Sequence, residues 1–143
     1  MSFGNTFEND LMKLIFNATA IANIADNAAT SPFTNLYAAL HTADPGEAGD
    51  QSTSEATYTG YAIVAITRNS GGWTVTANQA VNASTITFGP CTAGSNTVTY
   101  VSIGTASSGA GKILCRAALT SSLVISAGIT PLFNASSLTF SLD

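Results

Sequence analysis

Two apolar runs, Leu36-Tyr37-Ala38-Ala39-Leu40-His41 and Tyr61-Ala62-Ile63-Val64-Ala65-Ile66, flank a long segment with almost nothing to bury. The runs read as paired strands of a β core, with residues 42–60 thrown outward between them. That segment holds Asp44, Glu47, Asp50 and Glu55, four of the chain's eight acids. Asp44-Pro45-Gly46 marks a turn, because proline presets φ and glycine takes a conformation that other residues resist. A loop of this length without periodic structure is uncommon inside a compact domain and is usually a binding arm, a lid or a disordered segment. The first expectation is therefore a small scaffold presenting a contact loop, and removal of Asp44–Ser54 should leave folding intact.

The rest of the chain supplies the scaffold. At 143 residues it is long enough to bury a core as one domain, 1–143. Residues 5–28 carry the helical pattern. Asn5 can cap it, with Glu8 three residues on in the manner of a capping box. Phe7, Leu11, Leu14, Ile15, Ala18, Ala22 and Ala25 recur at helical spacing as one apolar face, and Met12, Phe16, Ile21 and Ile24 widen it. Such a helix suits two neighbours, its own sheet and a second subunit. Thr30-Ser31-Pro32 ends it, because the residue before proline avoids the helical region.

Beyond Pro32 the period becomes β-like. Trp73-Thr74-Val75-Thr76 follows a Ser70-Gly71-Gly72 turn and is expected to form a hairpin with the strand over 61–67. Further strands are predicted over 84–88, 97–103, 112–119, 122–126, 129–133 and 138–142. Eight or nine short strands between Gly, Ser and Asn turns describe a mainly β fold. The expected architecture is a β-sandwich or jelly roll over 36–142 with one N-terminal helix.

Composition narrows the function. Charged residues make up 8% of the chain, about a third of the usual ~25%. An isolated monomer normally keeps a charged surface to stay dispersed. This chain is expected to work in an assembly whose neighbours cover it, the alternative being an extracellular or particle-like setting. Lys13, Arg68, Lys112 and Arg116 are its only cations and the net charge is −4, which excludes a nucleic-acid footprint. No apolar run is long enough to span a bilayer. The start, Met1-Ser2-Phe3-Gly4-Asn5-Thr6, lacks the pattern of a secretory signal, so assembly in a host cytoplasm is expected. Cys91 and Cys115 fit no metal motif. They read as two free thiols, with a single disulfide as the alternative.

No constellation carries catalysis, a cofactor or a metal. His41 is the only histidine and sits where a strand enters the loop, a place for backbone hydrogen bonding; no G-x-S-x-G occurs. The four loop acids lack the spacing of an EF-hand, and a flexible loop would not hold paired carboxylates for sugar hydrolysis. The segment 104–112 has Ala106 and Ile113 where a phosphate cradle needs Gly and Ser or Thr, so it reads as a hairpin turn. Asn17-Ala18-Thr19, Asn82-Ala83-Ser84 and Asn134-Ala135-Ser136 match the glycosylation sequon by accident of composition. Tyr37, Tyr58, Tyr61, Trp73 and Tyr100 could stack on sugars, although strand alternation puts most of them in or beside the core.

The segments Leu36 to Gly49 and Glu55 to Ala62, the helix Leu14 to Asn23, the Ser70-Gly71-Gly72-Trp73 turn and Ile103 to Gly111 together resemble a family of small tailed-bacteriophage virion proteins. Members are similar to tail-fibre-like proteins and to capsid cement or decoration proteins of short-tailed phages. The sequence departs from that pattern at Ile63, often Arg, and at Tyr100, often His. The resemblance implies a structural virion protein, foremost a decoration protein that holds the major capsid protein, and copies of itself, by many weak contacts. Asp44, Pro45, Gly46, Glu47, Asp50, Glu55 and Tyr58 would form the partner-binding loop. Phe7, Leu11, Leu14, Ile15 and Ala18 would form a second contact face. The alternative is a tail or tail-fibre component whose aromatic strands touch host glycan.

Overall fold

The computed structural model describes residues 5–21 and 32–142. It is mainly β, with one helix among the described residues and three antiparallel sheets. The described residues group into two compact units. The mainly β class with a helix at its N-terminal end is as expected.

The first unit comprises the described parts of Met1–Asn35 with Thr67–Thr85 and Phe133–Asp143. It contains helix α1 (Asn5–Asn17) and a three-stranded sheet ordered β3 (Trp73–Thr76), β4 (Gln79–Asn82), β9 (Thr139–Ser141). Trp73 pairs with Asn82, and Ala80 with Phe140. The helix is shorter than the 5–28 expected: Ala18 has a φ of 54° and Thr19 N–H reaches back 3.1 Å to Lys13 O, so the helix stops at Asn17. Ala22, Ile24 and Ala25 lie outside the described residues, as do Thr30 and Ser31.

The buried stripe of α1 also differs from the one expected. Glu8, Met12 and Phe16 are buried at i, i+4 spacing, while Phe7, Leu11, Leu14, Ile15 and Ala18 are only half-buried. The reason is aromatic packing. Phe16 meets Trp73 edge-on at 4.7 Å and stacks with Phe140 at 6.2 Å, so the small sheet presents one aromatic socket to one side of the helix. Leucine and isoleucine counts favour the neighbouring face, but that socket decides the rotation.

Arg68 closes the helix. Its guanidinium donates to Ile15 O at 2.6 Å, to Leu14 O, and to Phe33 O at 3.3 Å. Carbonyls in the last helical turn have no partner within the helix, and a planar cation meets both their hydrogen-bonding need and the negative end of the dipole. Asn82, fully buried, binds the far side of the unit: its Nδ2 donates to Ser84 O and Asn134 O, and its Oδ1 accepts Leu138 N–H. That burial leaves the Asn82 sequon a structural element.

The second unit comprises Leu36–Ile66 and Ile86–Leu132. Its four-stranded sheet runs β2 (Val64–Thr67), β1 (Asn35–His41), β6 (Ser95–Gly104), β7 (Ile113–Ser126). The flanking runs of the sequence do pair, as β1 with β2. The expected hairpin between 61–67 and Trp73 does not form: β2 joins β1 and β3 joins β4. Gly72 and Trp73 N–H both bond Asn69 O, a tight local turn that sends the two strands to different sheets. A two-stranded ladder pairs β5 (Ile86–Thr87) with β8 (Leu132–Phe133).

β1 and β6 form the centre of the unit, with Tyr37 opposite Gly104 and His41 opposite Tyr100. Ala38 to His41 and Val101 to Gly104 are buried at every position, not alternately. Because side chains alternate between faces, unbroken burial requires cover on both. One face carries Ala38, Leu40, Val101 and Ile103. The other carries His41 and Ser102, and it is covered by the 42–60 segment. The two stretches expected as separate strands over 112–126 form the single strand β7. Its register shifts midway: Val98 pairs with Leu123 and Tyr100 with Ala118, so four residues of β7 lie opposite Thr99 alone.

Candidate functional site

The 42–60 segment does not project. It is folded onto the sheet as a compact loop, correcting the expectation of a free arm. Thr42 N–H bonds Ser54 O and Ala56 N–H bonds Leu40 O, so the two ends of the loop close on each other. The Asp44-Pro45-Gly46 turn forms as expected: Gly46, at a φ of 74°, donates its N–H to Asp44 Oδ1 at 2.9 Å. Pro45, Gln51, Ala56 and Tyr58 are buried.

Gln51 is the pin. Its side chain is fully buried, Oε1 accepting Ala106 N–H at 2.9 Å and Nε2 donating to Ala106 O at 3.2 Å; its backbone N–H bonds Gly111 O. Two glycines make room for it. A Cβ on Gly104 would lie 2.3 Å from Gln51 Cδ, and one on Gly111 would lie 2.0 Å from Gln51 Oε1. The Gly104–Gly111 segment and the loop around Gln51, far apart in sequence, are thus one device, with the 105–111 turn braced against the loop.

His41 locks the other side of the loop. Its Nδ1 lies 2.8 Å from Thr53 O and its Nε2 2.7 Å from Ser102 Oγ. A carbonyl only accepts, so Nδ1 carries the proton, Nε2 accepts, and the Ser102 hydroxyl donates. Burial holds the imidazole below its usual pKa, against a smaller raising effect of the Thr53 carbonyl and of Asp44. The histidine and its serine are both sealed from solvent, as the backbone-bonding role expected for His41 requires.

Three of the four acids are engaged by the fold. Asp44 pairs with Arg116 Nε at 2.7 Å, and the arginine holds its carboxyl below the usual range. Asp50 accepts from Ser52 N–H and from the Ser52 and Thr53 hydroxyls. Glu55 forms an isolated antiparallel bridge with His41 and lines a cleft with Tyr61, while burial raises its pKa. Glu47 is exposed and adds to the charge around Arg116. Tyr58, expected in the contact loop, is buried: its hydroxyl donates to Gly89 O, and its backbone N–H and that of Thr57 both bond Asn96 Oδ1. Of the proposed sugar-stacking aromatics, Tyr58 and Trp73 are core; Tyr37, Tyr61 and Tyr100 are half-buried.

One cleft opens beside the loop, with a volume of about 260 Å³. Glu55, Tyr61 and Ile63 form one wall; Ser107 and Ser108 of the braced turn form the other. Tyr61 is held firmly: its hydroxyl accepts Leu40 N–H at 3.0 Å, and its ring lies 5.5 Å from Tyr58 and 6.2 Å from Phe88. Among the described residues no three His, Cys, Asp or Glu side chains gather as metal ligands would, and no helix is long and apolar enough to cross a membrane. Cys91 and Cys115 are both free, and burial pushes the Cys115 thiol up to about 12, far from a reactive thiolate.

Sequence reasoning missed Gln51, Ser102, Asn96 and Arg68. A glutamine within a Ser/Thr run carries no periodic signal. The paired glycines 104 and 111 were its only trace.

The arrangement defines a class: a small β-rich structural module whose longest loop is part of its framework. Residues 2–141 match the family described as podophage GP4 fiber I protein gp80, and the chain belongs to that family. It is a structural component of a tailed-phage virion, as the resemblance implied. No curated protein matches the chain.

Proposed function

We propose that the chain is a non-catalytic subunit of a podophage tail appendage. The match of nearly the whole chain to a fibre family carries this reading, and nothing comparable supports the head-shell decoration role first expected. The fold agrees with it. A loop pinned by Gln51 and His41 makes a rigid surface that repeated copies can present in fixed geometry.

Copies of the chain are the natural first partners. β7 is last in its sheet, and Leu114 and Val124 on it are 40% and 66% exposed. A long edge strand with one charged side chain, Arg116, is the kind that neighbours cover. The outward surface would then meet host-surface glycan. Gold-labelled antibody against the chain, imaged on intact virions, should decorate the tail. Label distributed over the head would restore the decoration role.

A further inference from the structure

We propose that the cleft between Glu55–Tyr61 and the Ser107–Ser108 turn binds one ring of a neutral sugar. The proposal takes its biological setting, host-surface glycan, from the tail-appendage reading, but the site is argued from its own chemistry. Both walls are fixed before any ligand arrives. Tyr61 is held by Leu40 N–H and two aromatic neighbours, and the serine turn hangs from Ala106, which Gln51 clamps from both its N–H and its carbonyl. Preformed walls spare the ordering cost that a mobile loop would charge against a weak ligand.

The groups offered match a sugar ring. Glu55 is a carboxylate acceptor for hydroxyl donors, the exposed Ser107 and Ser108 hydroxyls both donate and accept, and Ile63 gives an apolar patch for the C–H face of a pyranose. The size is right for one ring: about 260 Å³ lies just below the ~300–1,000 Å³ that holds a drug-sized ligand. The lining also selects against charge. It contains no Lys, Arg or His, and it has a carboxylate in a chain of net charge −4, so uronic acids, sialic acids and phosphates meet repulsion without a counter-charge. A cation finds a single carboxylate in the lining, and a lone pairing of that kind adds little.

The test uses the purified full chain and protein-observed NMR. Methyl glycosides of glucose, galactose, mannose and N-acetylglucosamine are titrated beside glucuronate, inorganic phosphate and lysine methyl ester. At least one neutral glycoside should shift the Tyr61 and Ser108 amides, and the charged probes should not. Glu55→Gln should weaken that binding about tenfold or more, the effect of losing a charged hydrogen-bond acceptor. Ser108→Trp, at an exposed turn position, should abolish it by filling the cleft while leaving the spectrum folded. Silence from all four neutral glycosides, equal shifts from a charged probe, or unaltered binding by Ser108→Trp overturns the site. Because the assay needs no virion, its failure leaves the tail location standing, and a head location would leave measured sugar binding standing.

Discussion

The pinning of the 42–60 loop can be measured through a single methyl group. Gly104 has no positive φ, so its backbone would accept alanine; only space forbids it, and the three nearest atoms to an added Cβ all belong to the Gln51 side chain, at 2.3, 2.4 and 2.7 Å. Gly104→Ala must therefore expel the Gln51 amide from its place against Ala106. Overpacking costs about 1–3 kcal/mol, and each displaced hydrogen bond adds about 0.5–1.5 kcal/mol, giving a loss of about 3 kcal/mol. Gln51→Ala alone leaves the Ala106 N–H and carbonyl to find water and should cost about 1–3 kcal/mol. In the double variant the obstruction is gone, and Gly104→Ala should then cost under about 1 kcal/mol. The coupling is about 2 kcal/mol, at the upper end for residues in direct contact. Urea unfolding followed by circular dichroism reads it as midpoint shifts at constant slope. Additivity within about 0.5 kcal/mol would show that Gln51 does not occupy the space above Gly104.

Other expectations follow from the same geometry. Phe16→Ala should cost about 3–5 kcal/mol by emptying the aromatic socket, whereas Leu14→Asp on the half-buried face should cost about 1 kcal/mol; equal melting losses would mean the helix is turned the other way. Deleting Asp44–Ser54, first expected to leave folding intact, removes Gln51 and the Thr53 carbonyl that His41 binds, and should yield insoluble or unfolded protein; a well-dispersed amide spectrum would contradict the pinned loop. His41 has a lowered folded-state pKa, so the unfolded chain takes up more protons: stability should be full above the unfolded value of about 6.5 and fall as pH drops through the window beneath it. His41→Asn should flatten that slope below about pH 6.5, and an unchanged slope would place the titration elsewhere. Arg68→Lys, a point charge in place of a fork, should speed amide exchange in the last turn of α1, and exchange rates equal to the parent would discount the cap.

What the sequence revealed depended on whether local pattern or distant partners decided the outcome. Alternation placed Trp73–Thr76 correctly and Thr97–Ile103 nearly so, because each side chain's face follows from its neighbours. The Asp44-Pro45-Gly46 turn was legible for the same reason. Pairing was less so: the Ser70-Gly71-Gly72 turn looks like a hairpin, but the strands beside it find better partners in β1 and β4. The loop was misjudged because its anchors are polar. Gln51, Asp50 and Glu55 look like solvated residues in sequence, and only the glycines 104 and 111, more than fifty positions on, show that a glutamine is to be buried. The cleft was invisible for a related reason, since Ser107 and Ser108 reach Glu55 only through that clamp.

The proposed place of this chain in the tail is tested most directly by counting its copies. Quantitative gel or mass-spectrometric comparison with the major capsid protein in purified virions should give a small copy number set by tail symmetry. Copies in the hundreds, tracking the capsid lattice, would contradict it.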